Sequence, residues 1–155
     1  MRLPKTRWPG DLQWLARRTL REIVRHTGDA DLEKRVGTQV MLRLIFATIA
    51  SSYDPSAGDG FQGLISFELT RPASGRPASW WMVSVGSDGV AESRPGRPDP
   101  GSAQLQVRLP VGDLLRIASG VIDPVEPVLA GRALVSGELA VAARLGEMFG
   151  APQVR

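Results

Sequence analysis

Few residues of this 155-residue chain have the types and spacing that catalysis requires. His26 is the only histidine and cysteine is absent, which excludes the usual zinc sites and a thiolate nucleophile. His26 ends a predicted basic helix, where the helix dipole favours a cation, so we interpret it as a capping residue rather than a general base. No G-x-S-x-G nucleophile elbow occurs, and a Ser-His-Asp triad would have to recruit His26. We therefore predict a non-catalytic protein with no metal and no cofactor.

Four carboxylates remain as candidates for acid–base chemistry: Glu68, Asp113, Glu126 and Glu138. Asp113 and Glu138 occupy the first turns of predicted helices, where the helix dipole favours acids. The other two fit turns or surface positions. Their spacing does not pair them, and the sequence leaves open whether the fold brings two of them together.

Residues 58–63 read Gly-Asp-Gly-Phe-Gln-Gly, which is a literal G-x-G-x-x-G motif. A dinucleotide site needs a strand before this motif and a helix after it, so that the pyrophosphate meets a helix N-terminus. Here a predicted helix precedes the motif and a predicted strand follows it. We therefore predict a loop without a nucleotide-binding role.

Positive charge is concentrated at the start of the chain. Residues 1–28 hold seven basic and two acidic residues, a net charge of +5 in a chain of net charge +3. Leu12 to His26 is predicted to form an amphipathic helix. Its apolar face holds Leu12, Leu15, Ala16, Leu20, Ile23 and Val24. The opposite face is either a solvated surface or a docking surface for an anionic membrane or an acidic protein. The residues of that face are Trp14, Arg17, Arg18, Arg21 and Arg25.

Composition restricts the other classes of partner. The basic residues lie on one helix without an aromatic sheet platform, so we expect no nucleic acid. The most apolar stretch, Val40 to Ala50, is shorter than the ~20 residues that span a bilayer. With no signal-peptide pattern and no disulfide framework, we expect a cytoplasmic protein. Arginine outnumbers lysine seventeen to two, as is typical of a GC-rich bacterial genome.

The hydrophobic pattern predicts an α+β fold. A second helix is predicted from near Asp31 to about Tyr53, and its half from Val40 to Ala50 is apolar nearly all round, so we expect burial on several sides. Alternation predicts five short strands at 63–70, 79–85, 90–93, 103–109 and 132–136. Their meander order indicates a mostly antiparallel sheet with helices over one face.

Four apolar side chains fall at outward positions of the predicted strands: Leu64, Trp80, Met82 and Leu134. A patch of this kind requires a cover. We hypothesise that either the N-terminal helix or a second copy of the chain, in a homodimer, covers it.

The stretch from Gly112 to Phe149 carries a family resemblance. It contains a helix with Leu114 and Leu115, a stop at Gly120, a helical start at Pro124, the segment Gly131-Arg132-Ala133-Leu134-Val135-Ser136-Gly137-Glu138, and a closing helix. The apolar stripe of that helix is predicted to be Leu139, Ala142, Ala143, Leu145 and Phe149. In this order and spacing the stretch resembles the sterol carrier protein type 2 domain, and the resemblance extends back to about Phe61. It departs from the family pattern at residues 128–130 and at Leu134.

The resemblance implies a domain that holds a sterol, a fatty acyl group or another lipid-like molecule in an apolar cavity between sheet and helices. We predict a basic arm at 1–30, this domain at 31–150 and a tail at 151–155. The expected ligand contacts are Val40, Leu44, Ile45, Thr48, Phe67, Trp81, Val83, Val107, Leu115, Leu129, Leu145, Met148 and Phe149. Two other roles stay open. One is an accessory or scaffold protein of a lipid, quinone or natural-product pathway, and the other is a cyclase or isomerase that folds an apolar substrate.

Overall fold

A computed structural model describes residues 10–150, and the side chains of residues 18–150. The helices are α1 (Gly10–His26), α2 (Asp29–Asp31), α3 (Gln39–Ser51), α4 (Pro55–Gly58), α5 (Val111–Ala118), α6 (Glu126–Leu129) and α7 (Leu139–Met148), and a π-helical turn, Leu32–Val36, follows α2. The strands are β1 (Gly63–Arg71), β2 (Arg76–Val85), β3 (Ala91–Pro95), β4 (Leu105–Pro110) and β5 (Leu134–Gly137). The predicted α+β class with five strands is confirmed.

The five strands form one sheet in the order β3-β2-β1-β4-β5. Three of the strand pairs are antiparallel, as the meander predicted. The pair β1–β4 is parallel, with Ile65 opposite Leu105. A meander pairs neighbouring strands antiparallel, so this parallel pair was not predicted. It arises because residues 96–104 carry the chain from β3 past β2 and β1 to reach β4.

That crossover covers part of the outer face of the sheet. The Arg97 guanidinium lies 4.8 Å from the ring centroid of Trp80. Gly96 lies close to Met82, as shown by the distance of 3.6 Å between Met82 Cε and a Cβ placed on Gly96. Met82 is consequently only 8% exposed, whereas Leu134 at the far edge remains 60% exposed.

One of our two hypotheses placed the N-terminal helix over the outer face of the sheet. The structure contradicts it, because helix α1 does not cover that face. It packs against α5, and Val24 of α1 belongs to the hydrophobic core. Arg21 Nη2 donates to the carbonyl of Gly120 at 3.4 Å. Ile23, predicted on the apolar face, is 47% exposed because the helix turns Val24 toward the core instead. The homodimer stays a prediction.

The helix predicted from Asp31 to Tyr53 is divided at Gly37. The π-helical turn ends there, and Thr38 caps a new helix by accepting a hydrogen bond from Met41 N at 3.3 Å. Gly37 is buried, and a Cβ on it would lie 3.2 Å from Leu32 O and from Val111 Cγ2. This close packing against α5 is the physical reason for the break.

Helix α3 is buried on one side only, so the expectation of burial on several sides is wrong. Leu42 and Phe46 are fully buried against the sheet, whereas Val40 and Leu44 are 72% and 59% exposed. The sheet supplies a single apolar surface, and the opposite side of α3 carries no other described element. The sequence is apolar there without being covered.

Helix α7 buries only part of the predicted stripe, because Ala142, Leu145 and Phe149 pack against the core but Leu139 and Ala143 do not. Val141 and Met148 are buried, while Leu139 is 69% exposed and Ala143 is also exposed. The C-terminal end of the helix is fixed by Asp54 N donating to Met148 O at 2.7 Å and by Ser52 Oγ donating to Phe149 O at 2.6 Å. These two bonds set the rotation of α7 over the sheet.

Candidate functional site

Apolar side chains of α3, α5 and α7 meet the inner face of the sheet in a layer that we call the interlayer. Three aromatic rings lie at its centre. Phe46 of α3 stacks on Trp81 of β2 with ring centroids 5.0 Å apart and planes 5° apart, and it meets Phe67 of β1 edge-on at 5.2 Å. Aromatic pairs of this kind contribute about 0.5–1.5 kcal/mol each beyond their buried area.

The interlayer brings together nine of the thirteen predicted ligand contacts. Six are buried: Ile45, Trp81, Val83, Val107, Leu115 and Met148. Three pack against them while half-buried: Phe67, Leu145 and Phe149. The other four are exposed and lie outside it: Val40, Leu44, Thr48 and Leu129. A role in ligand binding stays a prediction for all thirteen.

Phe46 is the central residue that sequence reasoning missed. It is fully buried and contacts two other rings. The signal was present, because Phe46 follows the buried Leu42 by four residues and so lies on the same helical face.

The indole N–H of Trp81 has no hydrogen-bond partner among the described residues. The side chain is 1% exposed and its Nε1 is buried. A buried donor without a partner costs about 1–3 kcal/mol, and most such groups in folded proteins are paired. The interlayer therefore contains a polar side-chain group, the Trp81 N–H, that no described residue satisfies.

A second concave feature lies on the outer face of the sheet, and we call it the outer groove. It is open, has a volume of about 740 Å³, and is lined by side chains that include Glu68, Arg71, Arg76, Arg108, Arg132 and Leu134. Arg108 Nε lies 3.6 Å from Glu68 Oε2 across the β1–β4 pair. Sequence reasoning did not find this feature, since its arginines are far apart in the chain.

Asp113 and Arg132 form an ion pair at one end of the outer groove. The Asp113 side chain is 2% exposed and accepts hydrogen bonds from Arg132 Nε and Nη2. These bonds, together with the carboxylate charge, raise the pKa of the Arg132 guanidinium above its ordinary value. Arg116 contacts Asp113 at 3.6 Å and also binds Asp29. The network joins α2, α5 and the segment before β5.

Glu33 fixes the β1–β2 turn to the π-helical turn. Its carboxylate is buried and accepts hydrogen bonds from Ala73 N at 2.9 Å and Ser74 N at 2.8 Å. In the opposite direction, Arg71 donates to the carbonyls of Glu33 at 2.9 Å and Gly37 at 2.7 Å.

Of the four carboxylates considered for acid–base chemistry, Glu68 pairs with Arg108 and Asp113 with Arg132, while Glu126 and Glu138 are exposed.

The residues of the predicted basic docking face are only partly within the described side chains. Arg18 and Arg25 are exposed, Arg21 is half-buried, and the side chains of Trp14 and Arg17 lie outside the description. His26 Nε2 lies 3.4 Å from Glu22 Oε2, one turn earlier on α1. Docking through this face stays a prediction.

The glycine motif at residues 58–63 connects helix α4 to strand β1. A helix therefore precedes the motif and a strand follows it, which is the order that our interpretation as a loop predicted. Asp54 caps α4, because its Oδ1 accepts hydrogen bonds from Ser56 N at 3.0 Å and Ser56 Oγ at 2.7 Å. Within residues 10–150, no group of three or more His, Cys, Asp or Glu side chains is arranged to hold a metal ion. No helix in this part of the chain is long and apolar enough to cross a membrane.

Comparison with known proteins gives one family and a set of similar folds. A model of the SCP-2 sterol transfer family matches residues 43–150. A double mutant of the sec-alkylsulfatase PisA1 of Pseudomonas sp. matches with a TM-score of 0.54 and 21% identity, over 75% of this chain but 16% of that one. No curated protein sequence matches.

Two sterol carrier structures match over most of their own length. Sterol Carrier Protein 2 Like 2 of Aedes aegypti has a TM-score of 0.53 and 18% identity, over 68% of this chain and 94% of that one. The apo form of Sterol Carrier Protein 2 of Yarrowia lipolytica has a TM-score of 0.51 and 16% identity, over 70% and 90%. These likenesses show a shared fold.

Proposed function

Because the chain belongs to the SCP-2 sterol transfer family, we propose that it binds an apolar small molecule with an acceptor oxygen in the interlayer. The family match runs from α3 to the end of α7, which are the elements that enclose the interlayer. It also confirms the resemblance inferred from residues 112–149. Sterols, fatty alcohols and fatty acyl groups all have the required chemistry.

The unpaired indole N–H of Trp81 is the observation that carries this proposal. A ligand oxygen that accepts this hydrogen bond removes the cost of a buried unpaired donor, which is about 1–3 kcal/mol. A pure hydrocarbon of equal size gains no such term. The proposal therefore specifies the ligand as mainly apolar with one polar group, rather than simply as apolar.

Side chains fill the interlayer around Trp81, so binding must exchange one set of apolar contacts for another. Phe46 covers one face of the indole ring, so the apolar part of a guest on that face would displace Phe46, while the guest oxygen would approach the N–H in the plane of the ring. Burial of ligand surface then supplies roughly 25 cal/mol per Å². A pocket of mainly apolar residues with one convergent polar group is the common form of a small-molecule site.

We propose binding rather than catalysis because the buried carboxylates already have structural partners. Glu33 is bound by two backbone N–H groups and Asp113 by two arginines. A general acid or base needs an oxygen free to reach the substrate, and both oxygens of each of these carboxylates already have partners. Carriage of the ligand, rather than its conversion, is the corresponding role.

The test compares neutral ligands of equal chain length. Delipidated protein is titrated with dodecan-1-ol and with dodecane, and native mass spectrometry measures the bound fraction. We expect the alcohol to bind more tightly. Replacement Trp81→Phe removes the donor and keeps an aromatic ring, so it should lower the affinity for the alcohol about tenfold, toward that for dodecane.

Trp80→Phe is the matched control, because Trp80 is the neighbouring residue on the outer face and stacks with Arg97. It should leave both affinities unchanged. Absence of binding of either ligand by folded protein would refute an apolar site in the interlayer. Equal loss of alcohol binding in both variants would refute the role of the Trp81 donor.

A further inference from the structure

We propose that the outer groove is a second binding site, for a small organic molecule that carries a phosphate or carboxylate on a short apolar skeleton. The sheet separates this groove from the interlayer. In β1 and β4, the paired residues Glu68 and Arg108 point outward, whereas the preceding pair, Phe67 and Val107, points inward. The two sites therefore accept different chemistry from opposite faces of the same strands.

The charge of the groove favours an anion. Its lining includes four arginines and one glutamate. A smaller depression of about 330 Å³ shares Arg71 and Arg76 with it, and its other two charged residues, Glu33 and Lys34, cancel in formal charge. Arginine stays protonated at any pH at which the protein is folded, so this excess of positive charge does not depend on titration. An anion that enters the groove therefore meets more positive than negative side chains.

Two of the arginines are held in place by buried or backbone partners. Arg132 uses Nε and Nη2 to bind the buried Asp113, and among the described residues Nη1 has no hydrogen-bond partner. Arg71 is anchored by two carbonyls and by Ser79 Oγ. A guanidinium that is already ordered loses less side-chain entropy when it binds an anion.

The other two arginines are available for direct contact with an anion. Arg108 lies 3.6 Å from Glu68, which is longer than the 2.7–2.9 Å of a charge-assisted hydrogen bond, and its side chain is 56% exposed. Arg76 is exposed on the β2 side of the groove. A phosphate or carboxylate in the groove can therefore displace Glu68 from Arg108, and Arg76 adds a second exposed guanidinium to the same lining.

Apolar side chains on the same walls account for the skeleton of the ligand. Ala78, Pro110 and Leu134 line the groove, and Leu134 is 60% exposed. The volume of about 740 Å³ lies within the range of small-molecule sites, which is about 300–1,000 Å³. An inorganic ion would leave these walls wet, whereas a short alkyl group would cover them.

The experiment is an NMR titration of the full chain at low salt with three probes: hexyl phosphate, inorganic phosphate and hexan-1-ol. We expect amide shifts around Arg76, Arg108 and Leu134 with both phosphates, tighter binding of hexyl phosphate, and no shifts there with hexan-1-ol. Arg76→Gln with Arg108→Gln should weaken hexyl phosphate about tenfold or more. Glu68→Gln removes the competing carboxylate and should tighten it about two- to fivefold.

The control is the pair Arg43→Gln with Arg94→Gln, which makes the same change in charge on α3 and β3 outside the groove. It should leave hexyl phosphate affinity within twofold. Equal weakening by both pairs, shifts that do not centre on the groove, or equal affinity for the two phosphates would overturn the proposal. Should the double variant fail to fold, the Glu68→Gln result decides. Binding of dodecan-1-ol is measured alongside, and it should be unchanged because the interlayer lies on the other face.

Discussion

Arg132 and Asp113 are joined by two parallel hydrogen bonds, from Nε to Oδ2 at 3.1 Å and from Nη2 to Oδ1 at 3.2 Å. Asp113 lies in the first turn of α5, and Arg132 lies just before β5. The pair therefore connects the helix to the edge of the sheet and holds one guanidinium at the end of the outer groove.

Replacement Asp113→Asn tests this connection. The amide keeps the shape of the side chain but loses the charge, and it replaces one of the two acceptor oxygens with an NH2 donor that faces a guanidinium donor, so we expect a clear decrease in the urea midpoint. Breaking a buried ion pair costs more than breaking an exposed one. Asp31→Asn, which removes an exposed ion pair with Arg35, is the comparison and should have little effect. Equal midpoints for the two variants would contradict the prediction.

Glu33 provides a second test of how the N-terminal segment is attached. Glu33→Ala leaves Ala73 N and Ser74 N without their acceptor, and we expect a loss of about 1–2 kcal/mol in the free energy of unfolding. Hydrogen exchange of these two amides should become faster, since they can then bind water. Glu92→Ala, at an exposed position of β3, serves as the control. Unchanged exchange of both amides would show that the carboxylate does not hold the turn.

Phe46 is predicted to limit the space for a ligand. Phe46→Ala removes a buried ring and should lower the free energy of unfolding by about 3–5 kcal/mol. The same change leaves a void beside Trp81, so dodecan-1-ol should bind more tightly to the variant than to the wild type. Leu32→Ala removes a buried side chain near α5 and should lower stability without improving binding. A parallel gain in both variants would indicate general loosening of the core.

The cap on α4 should make stability depend on pH in the acid range. Hydrogen bonds from the Ser56 hydroxyl and the Ser56 N–H lower the pKa of Asp54 below its ordinary value of 3.8. A carboxyl with a lowered folded-state pKa stabilises the fold above the unfolded pKa, and this contribution is lost as the pH falls through the folded value. The urea midpoint should therefore fall less between pH 7 and pH 3 in Asp54→Asn than in the wild type. Asp99→Asn, at an exposed loop position, should keep the wild-type dependence.

The alternating strands and the C-terminal elements were predictable because their burial is local. Leu69, Leu105 and Val107 each lie between two polar residues, and the structure buries all three. The parallel pairing of β1 and β4 was not predictable, since the crossover at 96–104 carries no sequence signal for which strands it passes. The burial of α3 was overestimated because an apolar side chain such as Val40 shows only that burial would be favourable. The sequence does not show whether another element lies close enough to cover it.

The interlayer was predicted better than the outer groove for the same reason. Trp81 and Val83 belong to a strand whose pattern already assigns them inward. Arg76 and Arg108 come from strands that are not neighbours in the chain, and only the strand order with β1 between them places both in one groove. The Trp81 N–H could not be identified as unpaired before the core around it was known.

The crossover also determines the order in which the sheet can assemble. β2 begins only five residues after β1 ends, so β1 and β2 can pair across a short turn. The other edge of β1 pairs with β4, which is much farther along the chain, as the pair of Ile65 with Leu105 shows. Closing the longer loop costs more chain entropy, so the hairpins of β1, β2 and β3 should form first and β4 should join late. Until then the central strand of the final sheet presents an open edge of unpaired backbone groups. The interval before β4 arrives is thus the stage of folding at which two copies of this chain are most exposed to pairing with each other.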